Sequence, residues 1–593
     1  MTDFFSKEAS ALKEQQQELD RKNRRLSLLR LVFFVLFAGC GIAGFVKGYN
    51  PGLFAVSAAA LIVFGVLCYV HGKSKRKAAF VEAKIVSNDR YLSRAVGDYS
   101  KFEDDGKEFT NHSHSYSSDL DLFGSHSIYE LYNVSHSVWG RKAFADKLTG
   151  KDIMSLDKKT ILERQKAVKK LSEDPGFLLD YEATGMINPI TKVPEALIRL
   201  CSKSKKIPSS YKLLYKLIPL IWLVPLILLF MGKGGYARIA ALLVILINLV
   251  IWFVMTKMEF TDIFKAGLIS KQAVAVKKRI ELIMSEDGRK QLFVPEYLSD
   301  ESSVEADELI RACNLCSVRE QPISALILNS VMPYDLMCAD RLIDWACKYG
   351  ESFIGTIGSL GQIESLMCAC VPGLVSDNAC YPSINEEKSA YFKGTDMVHP
   401  LLDPSSVVSN SVTIDSQVAL ITGSNMSGKT TLIRTVGIMC VLAYTGSMVP
   451  ASSVDLSIMR IMTSMRIADS LEESMSTFKA ELVRIGSIVK AASDEKPLLF
   501  LIDEIFRGTN SQDRTDGAEM VLKNLSKPYI SGFMTTHDYA LCDRIVEQKY
   551  EGIIFCHFSE RYEGDNIIFD YTLRDGLSHE SNAKFLMNLV GIK

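Results

Sequence analysis

The sequence predicts a multi-domain fold in which two α-helical membrane hairpins and a helical core precede a C-terminal α/β domain. Three observations carry this prediction. Uncharged apolar runs occur as two pairs, and each pair is joined by a short turn. Residues 257–396 have the apolar periodicity of helices. From residue 397 onward, short apolar runs alternate with helical patterns, which is typical of a mostly parallel sheet covered by helices.

These patterns divide the 593 residues into six segments. They are a charged cytoplasmic helix at 1–26, a transmembrane hairpin at 27–72, a helical segment at 73–212, a second transmembrane hairpin at 213–256, a helical core at 257–396 and an α/β domain at 397–593. The formal net charge is −1, so the chain lacks the global basic field typical of nucleic-acid-binding domains. Any contact with DNA must therefore come from a local basic patch.

Four apolar runs are each close to the roughly 20 residues that span a bilayer once their flanks are included. They occupy residues 31–46, 53–70, 217–231 and 239–255, with turns at 47–52 and 232–236. Helices buried in a protein core are the alternative interpretation. That alternative is stronger for the second pair, because its first run contains Pro219 and Pro225.

Basic residues favour membrane spanning, because they lie on one side of both pairs and are scarce in the turns. Before the first pair stand Arg21, Lys22, Arg24, Arg25 and Arg30, and after it stand Lys73, Lys75, Arg76 and Lys77. Before the second pair stand Lys203, Lys205, Lys206, Lys212 and Lys216. This asymmetry predicts a multi-pass protein of the cell membrane with both termini and every folded domain in the cytoplasm. Thirteen scattered cysteines agree with a reducing compartment.

A phosphate-binding loop is the most specific motif in the chain. Residues 423–430 read GSNMSGKT, and they stand between a strand-like run at 418–422 and a helical pattern. In that setting backbone N–H groups and the helix N-terminus converge on phosphates. The alternative is a chance match in a loop. The predicted nucleotide-binding residues are Gly423, Ser424, Asn425, Met426, Ser427, Gly428, Lys429, Thr430 and Thr431.

Within this loop, Lys429 is predicted to reach the β- and γ-phosphates and Thr430 to ligate Mg²⁺. An unbroken apolar run, residues 497–504, ends in two carboxylates. Asp503 is placed to hold the Mg²⁺ shell, and Glu504 to orient or deprotonate the attacking water. His537, after another short strand, is a candidate sensor of the γ-phosphate. A helix N-cap is the alternative role for the two carboxylates.

These motifs resemble the ATPases of the MutS family, relatives of the ABC ATPases that are named for DNA mismatch repair. Residues 503–510, DEIFRGTN, resemble the family segment DEIGRGT, and residues 535–537, TTH, resemble its A-T-H switch. Residues 469–481, DSLEESMSTFKAE, resemble a signature that reaches the partner's ATP across a dimer. The matches run in order from about residue 119. The resemblance implies a helical MutS-like core followed by an ABC-like P-loop ATPase domain.

The same resemblance implies a homodimer in which Ser476 contacts the partner's nucleotide. The signature glycine is replaced by Ser474, and Val407 stands where the family has an adenine-stacking aromatic residue. Tyr571 is the candidate ring on the other side of the base. No segment resembles the mismatch-reading or connector domains. The helices with which MutS subunits dimerise at their C-termini are also expected to be missing.

Three functions remain open at this point, all with ATP and Mg²⁺ as ligands. The first is a membrane-anchored MutS-like ATPase that drives dimer closure and acts on DNA. The second is an ATP-driven membrane switch that acts on an unknown protein partner or on the envelope. The third, an ABC-type transporter, is disfavoured because four short-looped spans are few for a transport path and no LSGGQ signature is present. Catalysis is assigned to Glu504, Lys429 and His537 in each case.

Overall fold

The computed structural model describes residues 2–153, 155–192, 195–203, 206–256, 266–285, 298–318, 321–424, 426–465, 477–506, 510–563 and 566–577. Helices dominate the described chain before residue 376. They are α1 Thr2–Val46, α2 Pro51–Ala95, α3 Ile128–Tyr132, α4 Val138–Leu148, α5 Lys158–Ser172, α6 Pro175–Ile187, α7 Glu195–Lys203, α8 Ser209–Ile221, α9 Leu223–Phe230, α10 Gly234–Thr256, α11 Ala266–Met284, α12 Asp300–Ser317, α13 Pro322–Val331 and α14 Tyr334–Val375.

Strands and helices alternate in the C-terminal part, as the sequence predicts for an α/β domain. They are β1 Ser383–Ile384, β2 Tyr391–Met397, β3 Asn410–Asp415, β4 Val418–Thr422, α15 Lys429–Thr445, β5 Ser453–Leu456, β6 Arg460–Ser464, α16 Thr477–Ala491, β7 Leu498–Asp503, α17 Ser511–Leu525, β8 Ile530–Thr535, α18 Tyr539–Glu547, β9 Ile553–Glu563 and β10 Asn566–Asp575. The chain forms two compact units. The first comprises Met1–Val134, Ala143–Asp180 and Ser365–Lys593, and the second Ser135–Lys142 and Tyr181–Glu364.

The first apolar hairpin, α1–α2, consists of two helices of 45 residues each. The charged segment predicted at 1–26 and the apolar run that follows it are one continuous helix. Asn50 caps α2 by accepting hydrogen bonds from the next turn, as expected at a helix N-terminus. At the open end of the hairpin, the Phe5 ring stacks on Tyr91 with centroids 4.6 Å apart, and Asn88 donates to the Phe5 carbonyl. The hairpin therefore continues beyond its apolar half as a packed pair of helices.

The second apolar hairpin, α8–α10, differs from the prediction in two details. The run expected at 217–231 is divided, because α8 ends at Ile221 and α9 begins at Leu223. Prolines cannot donate a backbone hydrogen bond, and Pro219 and Pro225 flank this break. The turn is also shorter than the predicted 232–236, since α10 begins at Gly234.

Five described helical stretches are long and apolar enough to cross a membrane by length and composition: Asp3–Val46, Pro51–Ala95, Tyr211–Phe230, Gly234–Val254 and Tyr334–Val375. The fifth is different, because 78% of its most apolar window is buried in the protein. In the other four, no more than 17% of that window is buried. The four exposed stretches coincide with the four apolar runs of the sequence.

A buried ion pair organises the second unit. Arg279 of α11 and Glu364 of α14 are each 1% exposed, and the Arg279 Nε lies 3.1 Å from a Glu364 oxygen. The hydroxyls of Ser135 and Ser137 donate to the other Glu364 oxygen at 2.5 and 2.6 Å, and the Tyr181 hydroxyl donates at 3.2 Å. The carboxylate is thus saturated with donors, which is the arrangement that makes a buried charge tolerable.

The larger sheet of the first unit has the strand order β10-β9-β4-β8-β7-β6. Its pairings are parallel except for β9 with β10, which confirms the predicted mostly parallel sheet. Strands β4, β7 and β8 are buried along their whole length, as expected for central strands covered on both faces. Their carboxyl ends therefore meet at one edge of the sheet.

The expectation that residues 257–396 are helical throughout is wrong at its C-terminal end. Helix α14 ends at Val375, and β1 and β2 follow within the predicted helical range. These strands belong to a second sheet with the order β1-β5-β2-β3, and β2 crosses the predicted domain boundary at 397. Strand β2 pairs with β3 and with β5, which is some 60 residues away along the chain. Pairing with distant strands therefore overrides the local helical periodicity.

Candidate functional site

The loop between β4 and α15 has the backbone that close approach to phosphates requires. Gly423 and Gly428 adopt φ values of +142° and +107°, a region that favours glycine. A Cβ added to Gly423 would lie 3.0 Å from the Phe558 carbonyl oxygen and from the Ser427 hydroxyl. Gly428 is the N-cap of α15, so the N-terminus of that helix points into the site. Asn425 lies outside the described residues.

Lys429 is the first residue of α15 and is 4% exposed. Its ammonium donates to the carbonyl oxygens of Gly423 and Ser424 at 2.8 and 2.7 Å. The cation thus lies against the loop, with its position set by main-chain acceptors. A phosphate anion held by the same loop would meet this charge directly.

Thr430 and Asp503 meet across the cleft between α15 and the end of β7. The Thr430 hydroxyl donates to one Asp503 oxygen at 3.0 Å, and the Thr535 hydroxyl of β8 donates to the other at 2.6 Å. Asp503 is 8% exposed. A hydroxyl and a carboxylate at this spacing are oxygen ligands of the kind that Mg²⁺ takes beside nucleotide phosphates, so the residues present fit that ion.

Glu504 and His537 form a second contact next to Lys429. The Glu504 Oε1 atom lies 2.7 Å from His537 Nε2, and that nitrogen lies 3.2 Å from Lys429 Nζ. Glu504 has a φ of +51°, and its N–H donates to the Thr535 hydroxyl at 3.0 Å. A non-glycine residue held in the left-handed region is a costly conformation that often marks a functional site. The three predicted catalytic residues are therefore neighbours.

A cavity of about 840 Å³ opens on this group of residues. Besides Ser424, Met426, Gly428, Lys429, Thr430, Thr431, Asp503 and Glu504, it is lined by Val407 and Tyr571. Tyr571, the candidate ring for the adenine base, therefore lies in the same cavity as the phosphate loop, together with Val407, which replaces the family's aromatic residue. Tyr571 sits in an irregular part of the β9–β10 ladder with a φ of +52°. A Cβ added to Gly428 would lie 3.5 Å from its ring.

The sequence did not assign a role in this site to three further residues: Asn410 and His399, which line the cavity, and Glu560, which contacts Ser424. Asn410 donates to the Tyr571 carbonyl oxygen at 2.9 Å and accepts from the Leu573 N–H at 2.7 Å, so it anchors the segment that carries Tyr571. Glu560 of β9, which is nearly buried, accepts a hydrogen bond from Ser424 at 2.6 Å. His399 lines the cavity, and burial together with nearby Arg434 lowers its pKa to about 4. His399 is therefore neutral at physiological pH.

Of the remaining predicted site residues, Ser427 is buried, and Met426 points to solvent with 83% of its surface exposed. Ser476 lies outside the described residues. Residues 477–481 of the same signature segment are described: Glu481 accepts a hydrogen bond from the Phe506 N–H, and the Phe478 and Phe506 rings lie 6.0 Å apart. The signature helix α16 is therefore attached to the segment that follows Glu504.

Comparison with known proteins finds similarity in the part of the chain that carries this site. The family model described as MutS domain V matches residues 419–591. Similar curated proteins include the DNA mismatch repair protein MutS of Streptococcus agalactiae, 25% identical over 50% of this chain and 35% of the relative. Those of Lactobacillus acidophilus and Desulfovibrio desulfuricans are 30% and 31% identical, over 46% and 40% of this chain. The chain spans only 25–35% of the length of these relatives.

Proposed function

From its membership of the MutS-like family, we propose that this chain is a membrane-anchored ATPase that binds ATP with Mg²⁺ and closes as a homodimer. Hydrolysis of the γ-phosphate by water is the reaction that the site residues suit. The observation that carries this proposal is that Lys429, Thr430, Asp503 and Glu504 line one cavity, while His537 contacts Glu504 and lies beside Lys429. That cavity lies at the carboxyl edge of a parallel sheet, where ligands of α/β proteins bind.

Each residue has a separate task in this proposal. Lys429 stabilises the charge that develops on the transferred phosphoryl group. Glu504 accepts a proton from the attacking water or orients it, and His537 holds the Glu504 carboxylate at 2.7 Å. Thr430 and Asp503 would hold Mg²⁺, which neutralises charge on the β- and γ-phosphate oxygens when it is bound. Tyr571 and Val407 would enclose the adenine base.

The membrane half of the proposal rests on four helical stretches. In each of them no more than 17% of the most apolar window is buried, and an apolar surface of such length is typical of a membrane span. Basic residues cluster on one side of both hairpins, which supports a cytoplasmic position for the ATPase domain and the termini. The apolar stretch within α14 is not proposed as a membrane span, because most of its apolar window is buried inside the protein.

The homodimer is proposed because residues 469–481 resemble a signature that, in the MutS family, reaches the ATP of the partner subunit. Ser476 of one subunit would then contact the ATP of the other. Helix α16, which follows that segment, is attached through Glu481 to the main chain just beyond Glu504. Through this connection, a nucleotide contact at Ser476 would affect the position of the Glu504 carboxylate.

Replacing Lys429 by alanine should weaken ATP binding by about tenfold or more, because a charge-assisted contact to phosphate is lost. Equilibrium binding of a fluorescent ATP analogue to the detergent-purified chain measures this. Lys496→Ala is the matched control, because that lysine is exposed and precedes β7 at the end remote from the site. Equal affinities for the Lys429→Ala and control variants would remove Lys429 from phosphate binding.

The names of the relatives suggest DNA as the target, and we propose it as the first to test. The Glu504→Ala protein should bind duplex DNA more tightly with ATP than without it. Mismatched duplex, matched duplex and single strands are compared by fluorescence anisotropy at two salt concentrations, because phosphate contacts are salt-dependent. Absence of binding under all conditions would favour the second candidate, an ATP-driven switch that acts on a protein partner or on the envelope.

A further inference from the structure

Helices α12 and α14 of the second unit run antiparallel, and α13 lies at the end where they are joined. The Trp345 indole of α14 donates to the Glu305 carbonyl oxygen of α12 at 2.9 Å. Nearer the joined end, the Tyr334 hydroxyl donates to the Leu315 carbonyl oxygen at 2.7 Å. The two helices therefore form a long hairpin whose tip is the ten-residue apolar helix α13.

This tip lies beside the second apolar hairpin. The Trp222 indole donates to the Val331 carbonyl oxygen at 2.7 Å, and the Asn248 amide donates to the Ser330 and Val331 carbonyl oxygens at 3.1 and 3.2 Å. Both donors belong to the apolar stretches of α8–α10. Together they satisfy orphan carbonyl groups at the C-terminus of α13, as a helix end away from water requires.

The outer face of α13 is apolar and uncovered. Ile323, Leu326 and Ile327 are 74%, 48% and 58% exposed. Because α13 is bound to the middle of the hairpin helices, this face continues the apolar surface of the hairpin. If the hairpin spans the bilayer, α13 also lies within it.

A polar cavity of about 610 Å³ lies further along α12 and α14, bounded also by α8. It is lined by five basic and three acidic residues. One of the basic residues, Lys216, directly precedes the apolar run that begins at Leu217. Along α14, which begins just after Val331 at the tip, the cavity lies at Asp340 and Arg341. The cavity is thus located at the boundary between apolar and polar surface.

The acidic residues of this cavity already have partners. The Lys212 ammonium lies 2.7 Å from Asp340 and 2.8 Å from Asp344, and the Tyr215 hydroxyl donates to Asp340 at 2.7 Å. Glu308 accepts from the Tyr349 hydroxyl at 3.3 Å. The residues that contact Lys212 therefore line one side of the cavity with their charges already paired.

The lining of the cavity carries an excess of two positive charges, and three of its basic residues lie outside the Lys212 network. Lys216, Arg311 and Arg341 are exposed and form no ion pair with any residue in the described ranges. They come from α8, α12 and α14 respectively, so they face one space from three helices. Such a group of cations attracts a phosphate-bearing anion.

We propose that this cavity binds the phosphate headgroup of an anionic phospholipid, with the acyl chains against α8, α9 and α13. The proposal rests on the membrane placement of the second hairpin in the proposed function. A basic pocket on the cytoplasmic side of membrane helices is suited to an anionic lipid. A lipid is favoured over a free phosphate ion because exposed side chains such as Leu217, Leu220 and Leu226 continue from the cavity as an apolar surface.

The test uses the full chain purified in detergent and titrated with phosphatidylglycerol or with phosphatidylcholine of identical acyl chains. Native mass spectrometry measures how much lipid is retained. Wild-type protein should retain phosphatidylglycerol at least about tenfold more tightly than phosphatidylcholine. The double variant Arg311→Gln, Arg341→Gln should lose this preference. Lys192→Gln with Lys271→Gln is the control, because it removes the same charge from two exposed lysines of the same unit that line a different cleft.

Several results would overturn the proposal. They are equal retention of the two lipids by wild-type protein, an equal loss of preference in the control variant, and full displacement of phosphatidylglycerol by millimolar inorganic phosphate. Lys216→Gln alone provides a second variant if the double variant unfolds. Carbonate extraction of membranes is performed in parallel. A chain that leaves the membrane on extraction contradicts the proposed anchoring, whereas a retained chain without lipid preference contradicts only the headgroup site.

Discussion

Replacing Glu504 by alanine should lower steady-state ATP turnover at least about a hundredfold, because general-base assistance typically contributes that much or more. The side chain lies at the carboxyl end of β7 and contacts His537 at 2.7 Å, beside the Lys429 ammonium. ATP binding should be retained, since the phosphate loop and the Thr430–Asp503 contact are untouched. Phosphate release and equilibrium nucleotide binding, measured on the same preparation, separate the two effects.

Two further variants make this prediction specific. Glu504→Gln preserves the shape of the side chain and should be nearly as inactive as Glu504→Ala, because an amide cannot take the proton from water. Glu547→Ala removes an exposed carboxylate at the end of α18 and should leave turnover unchanged. Normal hydrolysis by Glu504→Gln would show that Glu504 does not act as a base.

Replacing Glu364 by glutamine should destabilise the second unit by about 3–5 kcal/mol, because Arg279 would remain as a buried and uncompensated charge. The new amide would also point its NH₂ group at donors, since Ser135, Ser137 and Tyr181 all donate to the carboxylate. Hydrogen–deuterium exchange of the amides of α11 and α14 measures the free energy of local opening. The free energy of local opening in these two helices should fall by the same amount.

The matched control is Glu351→Gln, an exposed position on the same helix, which should change the opening free energy by no more than about 0.5 kcal/mol. The double variant Arg279→Met, Glu364→Leu should be less destabilised than Glu364→Gln, because neither charge remains buried. Equal protection in Glu364→Gln and Glu351→Gln would mean that the ion pair contributes little to stability.

The nucleotide site could be predicted because its signals are short and local. The GSNMSGKT loop follows its strand directly, and Asp503 and Glu504 end an apolar run that is typical of a buried parallel strand. Strands β4, β8 and β7 are consecutive and parallel, so their carboxyl ends lie at one edge, and the contact between Thr430 and Asp503 follows from this topology. Sequence spacing alone could not reveal Glu560 or Asn410, since their partners lie 136 and 161 residues away along the chain.

The second sheet was missed for a related reason. Strand β1 has only two residues, and β2 contains Gly394 and the polar residues around it, which weaken a strand pattern. Their pairing with β5 supplies the missing stabilisation. The apolar runs, by contrast, were located correctly because length and composition alone identify them. Helix α13 lies within the range that was predicted to be helical, but a helix of ten residues is too short to indicate a span.

One measurement tests the central proposal most directly. Membranes that contain the full chain are washed with alkaline carbonate, and Mg²⁺-dependent ATP hydrolysis is measured in the washed membranes and in the wash, beside membranes with the Lys429→Ala protein. A membrane-anchored ATPase predicts that hydrolysis stays with the washed membranes and is lost in Lys429→Ala. ATP hydrolysis found in the wash instead of the membranes would contradict this function for the chain. Equal hydrolysis by the wild-type and Lys429→Ala membranes would also contradict it.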